Sequence, residues 1–393
     1  MPGKRIMIFT IPNDGHLNIL KRLVREYRDS HTFSLVLVDR HGTEPNLADL
    51  AVPALVPERS AGFMNTPASQ VFTRVYGLLD ECLGLARGFD PDLVLYDFCA
   101  LEGAFVAQVL RRPRWCSVPG LVGPLTNRDY LAQSVSSPAN QAAIASIERT
   151  FGIEIGQADI ELISNSLFIP GDLNLLWSYP SLTPRNFRDN RAPARYQFAG
   201  YLSDGHRRRT PDAGLPIVYL SFGTEVMVNM WSAQEETREG VRRCVAGLAQ
   251  RWRARDLEVV FATQGNPVLA EYPSNWTVYG KVDQQEVLSR ADVFVTHGGS
   301  NSFHEAVLSR VPMVVAPFFG DQMLIGTRVE ELGVGIHLAA DGGIDTGKSK
   351  RFLNDGLTDR IDGAVMRILG DDGYRKKFED LRLDFTPALA ELG

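Results

Sequence analysis

Apolar positions along this chain follow two alternating rhythms. Residues 6–10, 33–39, 93–97 and 115–118 are short, nearly continuous apolar runs, the pattern of strands buried on both faces of a parallel sheet. Between them the period lengthens. Leu20, Val24 and Tyr27 recur at i, i+4, i+7 in a helix that starts near His16, and further helices are predicted over 71–86 and 101–110. Strands and helices in strict alternation predict a parallel sheet covered on both faces. Residues 41–67 form a Pro-rich polar loop too long for a simple connector. Residues 120–195 give mixed signals around one helix at 140–150.

A polar, basic run, Asp204-Gly205-His206-Arg207-Arg208-Arg209-Thr210-Pro211, then breaks the pattern and reads as a solvated linker. After it the alternation restarts. Strands are predicted at 217–221, 257–263, 276–279, 293–296 and 311–316, with helices at 235–253 and 301–308. Ile325, Val329 and Leu332 repeat with helical spacing, and 358–388 is helical in pattern. The predicted organisation is therefore one α/β domain over 1–205, a linker over 206–214 and a second α/β domain over 215–375. A C-terminal helix over 376–393 completes the chain. No Gly-x-Gly-x-x-Gly follows the first strand, so a dinucleotide-binding reading is unsupported.

Composition removes some classes. With 393 residues, 44% hydrophobic and 22% charged, the chain is long enough to bury two separate cores. A net charge of −6 argues against a nucleic-acid partner, which calls for a basic surface. Cys82, Cys99, Cys116 and Cys244 show no paired metal spacing and fit the buried, reduced thiols of a cytoplasmic protein. The apolar run after Lys4-Arg5 stops at Asn13-Asp14-Gly15, too short for a signal peptide. No stretch approaches transmembrane length, so no stable membrane insertion is expected. Oligomeric state is not written in the sequence.

Residues 293–322 concentrate the chemistry. They read as strand, Gly298-Gly299 turn, helix, strand and loop. Glycines without a β-carbon let backbone N–H groups approach a ligand, and a helix start favours an anion. His297, Ser300, Asn301, Ser302, Glu305, Asp321 and Gln322 all fall at strand carboxyl ends or at the helix start. In an open α/β sheet that edge binds ligands.

This stretch resembles the nucleotide-sugar signature of the GT-B-fold, family-one glycosyltransferases, the group of plant and bacterial natural-product glucosyltransferases. Their pattern runs T-H-x-G-x-N-S-x-x-E, then G-V-P-x-x-x-x-P, then D-Q, and Arg310 replaces the glycine before Val311-Pro312. The resemblance implies two Rossmann-like, doubly wound domains facing across a cleft, with the last helix crossing back to the first domain. It implies that His297, Gly299 and the N–H groups of Ser300 to Ser302 hold a diphosphate, with the Asn301 and Ser302 side chains assisting. Glu305 would accept ribose hydroxyls, Asp321 and Gln322 would bind the sugar ring, and Thr224 in S-F-G-T would meet the phosphates. No metal is called for, and Asp90-Pro91-Asp92, which mimics a metal-binding D-x-D, reads as a turn. Lys281-Val282-Asp283-Gln284 stands where the family has W-V-P-Q, so the base-stacking tryptophan is missing while Gln284 still reaches a ribose or base edge. UDP-glucose is the expected co-substrate, with a dTDP-sugar as the alternative.

Gly15-His16-Leu17-Asn18 resembles the family's G-H-x-N-P, whose histidine is the general base, with Ile19 in place of proline. Asp97 in L-Y-D-F matches its carboxylate partner. An imidazole with a pKa near ~6.5 takes a hydroxyl proton at working pH, and a carboxylate on its far nitrogen fixes the tautomer. The implied activity is inverting transfer of a hexose to a hydroxyl of a small, partly apolar acceptor. Phe63, Met64 and Trp115 are candidates to line the acceptor site or to be core. Two rivals remain. Another enzyme of the fold, such as a UDP-sugar epimerase or a lipid-linked sugar transferase, predicts apolar membrane-facing patches or different catalytic acids. A catalytically silent nucleotide-sugar-binding partner is opposed by the presence of both His16 and Asp97.

Overall fold

A computed structural model describes residues 3–39, 47, 50, 52–59, 66–120, 128–156, 159–163, 166–184, 196–203, 214–338 and 356–392. The chain groups into two compact units, Met1–Leu202 with Leu383–Gly393, and Ser203–Arg382. Of the linker expected over 206–214, only Gly214 lies among the described residues. Phe63 and Met64 also lie outside them.

The first unit is built on strands β1 (Arg5–Thr10), β2 (Thr32–Leu37), β3 (Ala54–Leu55), β4 (Leu93–Asp97) and β5 (Arg114–Val118). A short antiparallel pair, β6 (Glu161–Ile163) with β7 (Ser166–Phe168), precedes β8 (Leu173–Leu176) and β9 (Tyr196–Phe198). The main sheet is parallel in the order β3-β2-β1-β4-β5-β8-β9. Its strands are apolar because both faces are covered. Helices α1 (Asp14–Tyr27), α2 (Val71–Phe89), α3 (Leu101–Leu110), α4 (Arg128–Val135) and α5 (Pro138–Phe151) lie in this unit. Helix α1 buries Leu17, Ile19, Leu20, Leu23 and Val24. Trp115, one of the acceptor-or-core candidates, is 7% exposed within β5, and so is core. Strand order reverses between β1 and β4, where successive connections leave in opposite directions, and that is where an open α/β sheet has its crevice.

The second unit repeats the plan. Its strands are β10 (Ile217–Ser221), β11 (Glu258–Ala262), β12 (Trp276–Tyr279), β13 (Val293–Thr296), β14 (Met313–Val315) and β15 (Gly335–His337). They form a parallel sheet in the order β12-β11-β10-β13-β14-β15, so its reversal lies between β10 and β13. Its helices are α6 (Trp231–Ala233), α7 (Glu235–Trp252), α8 (Gln284–Leu288), α9 (Ser300–Ser309), α10 (Gln322–Glu331), α11 (Leu357–Leu369) and α12 (Gly373–Lys376). A π-helical turn over Glu225–Met230 follows the first strand, where the sequence predicts only a turn. None of the described helices is long and apolar enough to cross a membrane.

The tail corrects one expectation. Residues 383–393 do join the first unit, but not as a helix. After α12 come two 3-10 turns, Lys377–Asp380 and Ala390–Leu392, and residues 381–387 between them have no regular structure. Pro387 disfavours helical geometry in the residue before it, and the Thr386 N–H donates to Phe198 O at 2.9 Å. The Phe385 ring packs edge-on against Tyr179 and covers Gly200. An extended strap satisfies the β9 edge, which a helix cannot do.

Candidate active site

In the first unit the site begins with two chain segments at the sheet reversal. Helix α1 starts directly after β1, so His16 stands in its first turn. Asp97 is the last residue of β4, the neighbouring strand, and the β1–β4 register that pairs Phe9 with Tyr96 sets the two segments side by side. His16 Nδ1 lies 2.9 and 3.0 Å from the two Asp97 carboxylate oxygens. Asp97 is fully buried, while the His16 side chain is 22% exposed. The ring leans on Phe98 with centroids 5.4 Å apart. An imidazole held by Nδ1 on a buried carboxylate leaves Nε2 as the nitrogen that a general base would use.

The turn after β4 is itself braced. The Cys99 N–H donates to Asp97 Oδ1 at 2.8 Å. Arg74 of α2 makes a two-armed pair with Glu102, at 2.9 and 3.2 Å, and donates to the Cys99 carbonyl at 3.0 Å. Both partners of this pair are buried. At Gly103 a β-carbon would stand 2.5 Å from Tyr96 Cβ and 2.9 Å from Phe9 Cβ, so only glycine lets α3 press onto β1 and β4. The Asp90-Pro91-Asp92 turn is structural. Asp90 ends α2 in the left-handed region, and Asp92 accepts the Arg5 N–H at 2.8 Å.

In the second unit, four segments converge on the sheet reversal. His297 follows β13, and its ring occupies the space that β-carbons would take at two glycines. A β-carbon on Gly223, just after β10, would stand 2.2 Å from His297 Cε1, and one on Gly299 would stand 2.4 Å from Nε2. These glycines therefore make room for the imidazole. Gly223 and Gly298 both carry positive φ (77° and 85°), and Gly298 packs beneath the Gln322 backbone. The Gly298 N–H is occupied by Thr296 Oγ1 at 3.2 Å. Helix α9 begins with Ser300, Asn301 and Ser302 and follows an N-cap, Gly299, that supplies no side-chain cap.

Burial pushes the His297 pKa down to about 4, and that of His304 likewise to about 4. His297 is thus a neutral N–H donor at pH 7 and brings no charge of its own. His304 packs Nδ1 2.8 Å from the Ser300 carbonyl, which makes Nδ1 the protonated nitrogen.

Glu305 lies one turn into α9 and is 6% exposed. Gln284 Nε2 donates to its Oε2 at 2.7 Å and to Ser302 Oγ at 3.2 Å, while Gln285 Nε2 donates to its Oε1 at 3.3 Å. Tyr219 and Ser203 hold the far ends of these amides, at 3.2 and 3.0 Å. Gln322 is 3% exposed, and its amide oxygen accepts the Phe318 and Phe319 N–H groups at 2.8 and 3.1 Å. Part of its bonding therefore shapes the loop before α10. Asp321 stands at the start of that helix and Thr224 at the start of the π-helical turn. The fold thus gathers Thr224, Gln284, His297, Gly299, Ser300, Asn301, Ser302, Glu305, Asp321 and Gln322 at one edge of one sheet. Sequence reading missed Gly223, Gln285 and the Arg74–Glu102 brace. A Gly in S-F-G-T and a second Gln beside Gln284 were the visible signals.

Residues 248–388 match the family described as "Erythromycin biosynthesis protein CIII-like, C-terminal domain". NDP-glycosyltransferase YjiC of Bacillus licheniformis is 25% identical over 97% of this chain and 93% of its own length. These likenesses support a family-one glycosyltransferase of the GT-B fold. Two solved structures share the fold. The glycotransferase of kitacinnamycin has a TM-score of 0.70 at 23% identity, covering 97% of this chain and 94% of that one. Spinosyn rhamnosyltransferase SpnG, complexed with thymidine diphosphate, has a TM-score of 0.65 at 19% identity, covering 96% and 94%.

Proposed function

We propose that this glycosyltransferase moves a hexose, glucose in the first instance, from a UDP-sugar to a hydroxyl of a small, partly apolar acceptor by single displacement with inversion. His16 takes the hydroxyl proton on Nε2, and Asp97 stabilises the imidazolium that results. The observation that carries this reading is the His16–Asp97 pair, at 2.9 Å with the carboxylate fully buried. In the second unit the diphosphate is held by the N–H groups of Ser300 to Ser302 and by neutral His297. The Thr224, Asn301 and Ser302 side chains assist, and Asp321 and Gln322 bind the sugar. An uncapped helix start supplies the partial positive charge that a leaving diphosphate requires, so the reaction proceeds without a metal.

A ribose with both hydroxyls fits Glu305. A carboxylate offers up to about four acceptor sites, and ribose hydroxyls would join or replace the Gln284 and Gln285 amides there. A dTDP-sugar is the second reading, supported by Lys281 in the place of a base-stacking tryptophan and by the thymidine diphosphate bound to SpnG. Mass spectrometry of products from UDP-glucose and dTDP-glucose, each with a panel of phenols and macrolactones in EDTA, tests the proposal. A hexose adduct formed in the chelator supports it. Tight UDP binding with no adduct from any acceptor would reassign the chain as a binding partner, and strict metal dependence would overturn the account of the leaving group.

A further inference from the structure

We propose that His16, Asp97 and Cys99 together form an inhibitory site for one thiophilic divalent cation such as Zn²⁺, which binds by displacing the protons that converge on the Asp97 carboxylate. Among the described residues, these three place an imidazole nitrogen, a carboxylate oxygen and a thiol sulfur within 4.8 Å of one another. The carboxylate faces the His16 Nδ1–H at 2.9 Å, and the Cys99 backbone N–H donates to it at 2.8 Å, which sets the Cys99 side chain beside it. A tetrahedral zinc holds N and S at about 2.0 and 2.3 Å, which sets ligand-to-ligand separations of roughly 3.3–3.7 Å. His16 Nδ1 and the Asp97 oxygen, 2.9 Å apart, separate by roughly half an ångström to admit the ion, and the Cys99 sulfur, within 4.8 Å of both, draws in. His16 is the exposed member and gives the ion its route, and the two buried members complete the chelate.

The balance of charge favours the exchange. The thiol gives its proton to solvent and the imidazole moves its Nδ1 proton to Nε2. The ion's two positive charges are then met by one thiolate and one carboxylate. A buried carboxylate that stood alone as an anion becomes part of a neutral cluster. The consequence for transfer is direct, because Nε2 now carries a proton and cannot accept one from the hydroxyl. Inhibition rests on the proposed role of His16, whereas binding of the ion does not.

Titration of the untagged, metal-free protein with Co²⁺ tests the site. One equivalent should produce a thiolate-to-cobalt charge-transfer absorption in the near ultraviolet that EDTA removes. The band should be lost in Cys99→Ala and Cys99→Ser and kept in Cys244→Ala. Zn²⁺ should abolish transfer, and the Cys99 variants, each compared with its own metal-free rate, should need at least about tenfold more of it. Should a Cys99 variant fail to fold, Asp97→Asn gives the second reading, a weakened cobalt band. Absence of the band in the native protein, or its persistence in the Cys99 variants, overturns the proposal. If no donor and acceptor give any transfer, the functional reading fails while the cobalt titration still decides the metal site.

Discussion

Replacing Asp97 by asparagine keeps the shape of the side chain and reverses half of its hydrogen bonding. In the native protein the carboxylate accepts from His16 Nδ1–H at 2.9 Å and from the Cys99 N–H at 2.8 Å. An amide has one acceptor oxygen and one NH₂ donor. The Cys99 N–H is fixed by the backbone turn and keeps the oxygen, so the NH₂ faces His16 Nδ1. A donor there holds the ring with its proton on Nε2, the nitrogen that must be empty to take the acceptor's proton. The expected fall in kcat is roughly 10²–10⁴, the range for losing general-base assistance. At 1.36 kcal/mol per decade that is about 3–5 kcal/mol of transition-state stabilisation. Donor KM should move little. The assay is nucleoside diphosphate release under saturating substrates for Asp97→Asn, His16→Ala and the double variant. Residues that act as one unit are non-additive, so the double variant should match His16→Ala alone. An Asp97→Asn enzyme within a few-fold of native, or a double variant that loses the product of both single effects, would refute the pairing as a catalytic device.

Other outcomes follow from the same geometry. Gly223→Ala places a β-carbon 2.2 Å from the His297 ring at a φ of 77°. It should destabilise by ~1–2 kcal/mol from backbone geometry alone and weaken UDP binding in calorimetry; unchanged affinity would separate His297 from the donor. Glu102→Ala leaves the Arg74 guanidinium buried without its carboxylate and should cost about 3–5 kcal/mol in chemical denaturation. A melting temperature equal to native would show the pair to be dispensable. His297 and His304 have pKa values lowered from 6.5 to about 4 by burial, so the unfolded chain binds protons first. Their contribution is intact above pH 6.5 and is lost as pH falls toward 4, by about 2 kcal/mol each at pH 5. Melting curves from pH 7 to 5 should show this slope, and His304→Asn, whose amide can still donate to the Ser300 carbonyl, should lessen it. An equal slope in that variant would place the acid sensitivity elsewhere.

Much of this was legible in the sequence, for definite reasons. Strands such as Leu93–Asp97 and Ile217–Ser221 are apolar on both faces, and α9 is bounded by Gly299 and Arg310. Periodicity therefore located them to within a residue or two. The site residues could be named because each sits where a strand ends. What escaped was whatever depends on a distant neighbour. The glycines of 298–299 suggest open backbone donors, yet Gly299 and Gly223 yield space to an imidazole and the Gly298 N–H is taken by Thr296. Gln285 and Glu305 are 20 positions apart, and Arg74 and Glu102 are 28 apart. No local period connects such pairs. The tail failed for the opposite reason. Its helical period continues past Leu369, but Pro387 and the free edge of β9 override it.

The account depends most on what the start of α9 holds. A diffraction structure of the protein crystallised with uridine diphosphate addresses this directly. The account predicts phosphate oxygens within hydrogen-bonding distance of the Ser300, Asn301 and Ser302 N–H groups, with the ribose hydroxyls on Glu305. A nucleotide bound elsewhere on the chain, or one whose ribose makes no contact with Glu305, would contradict it.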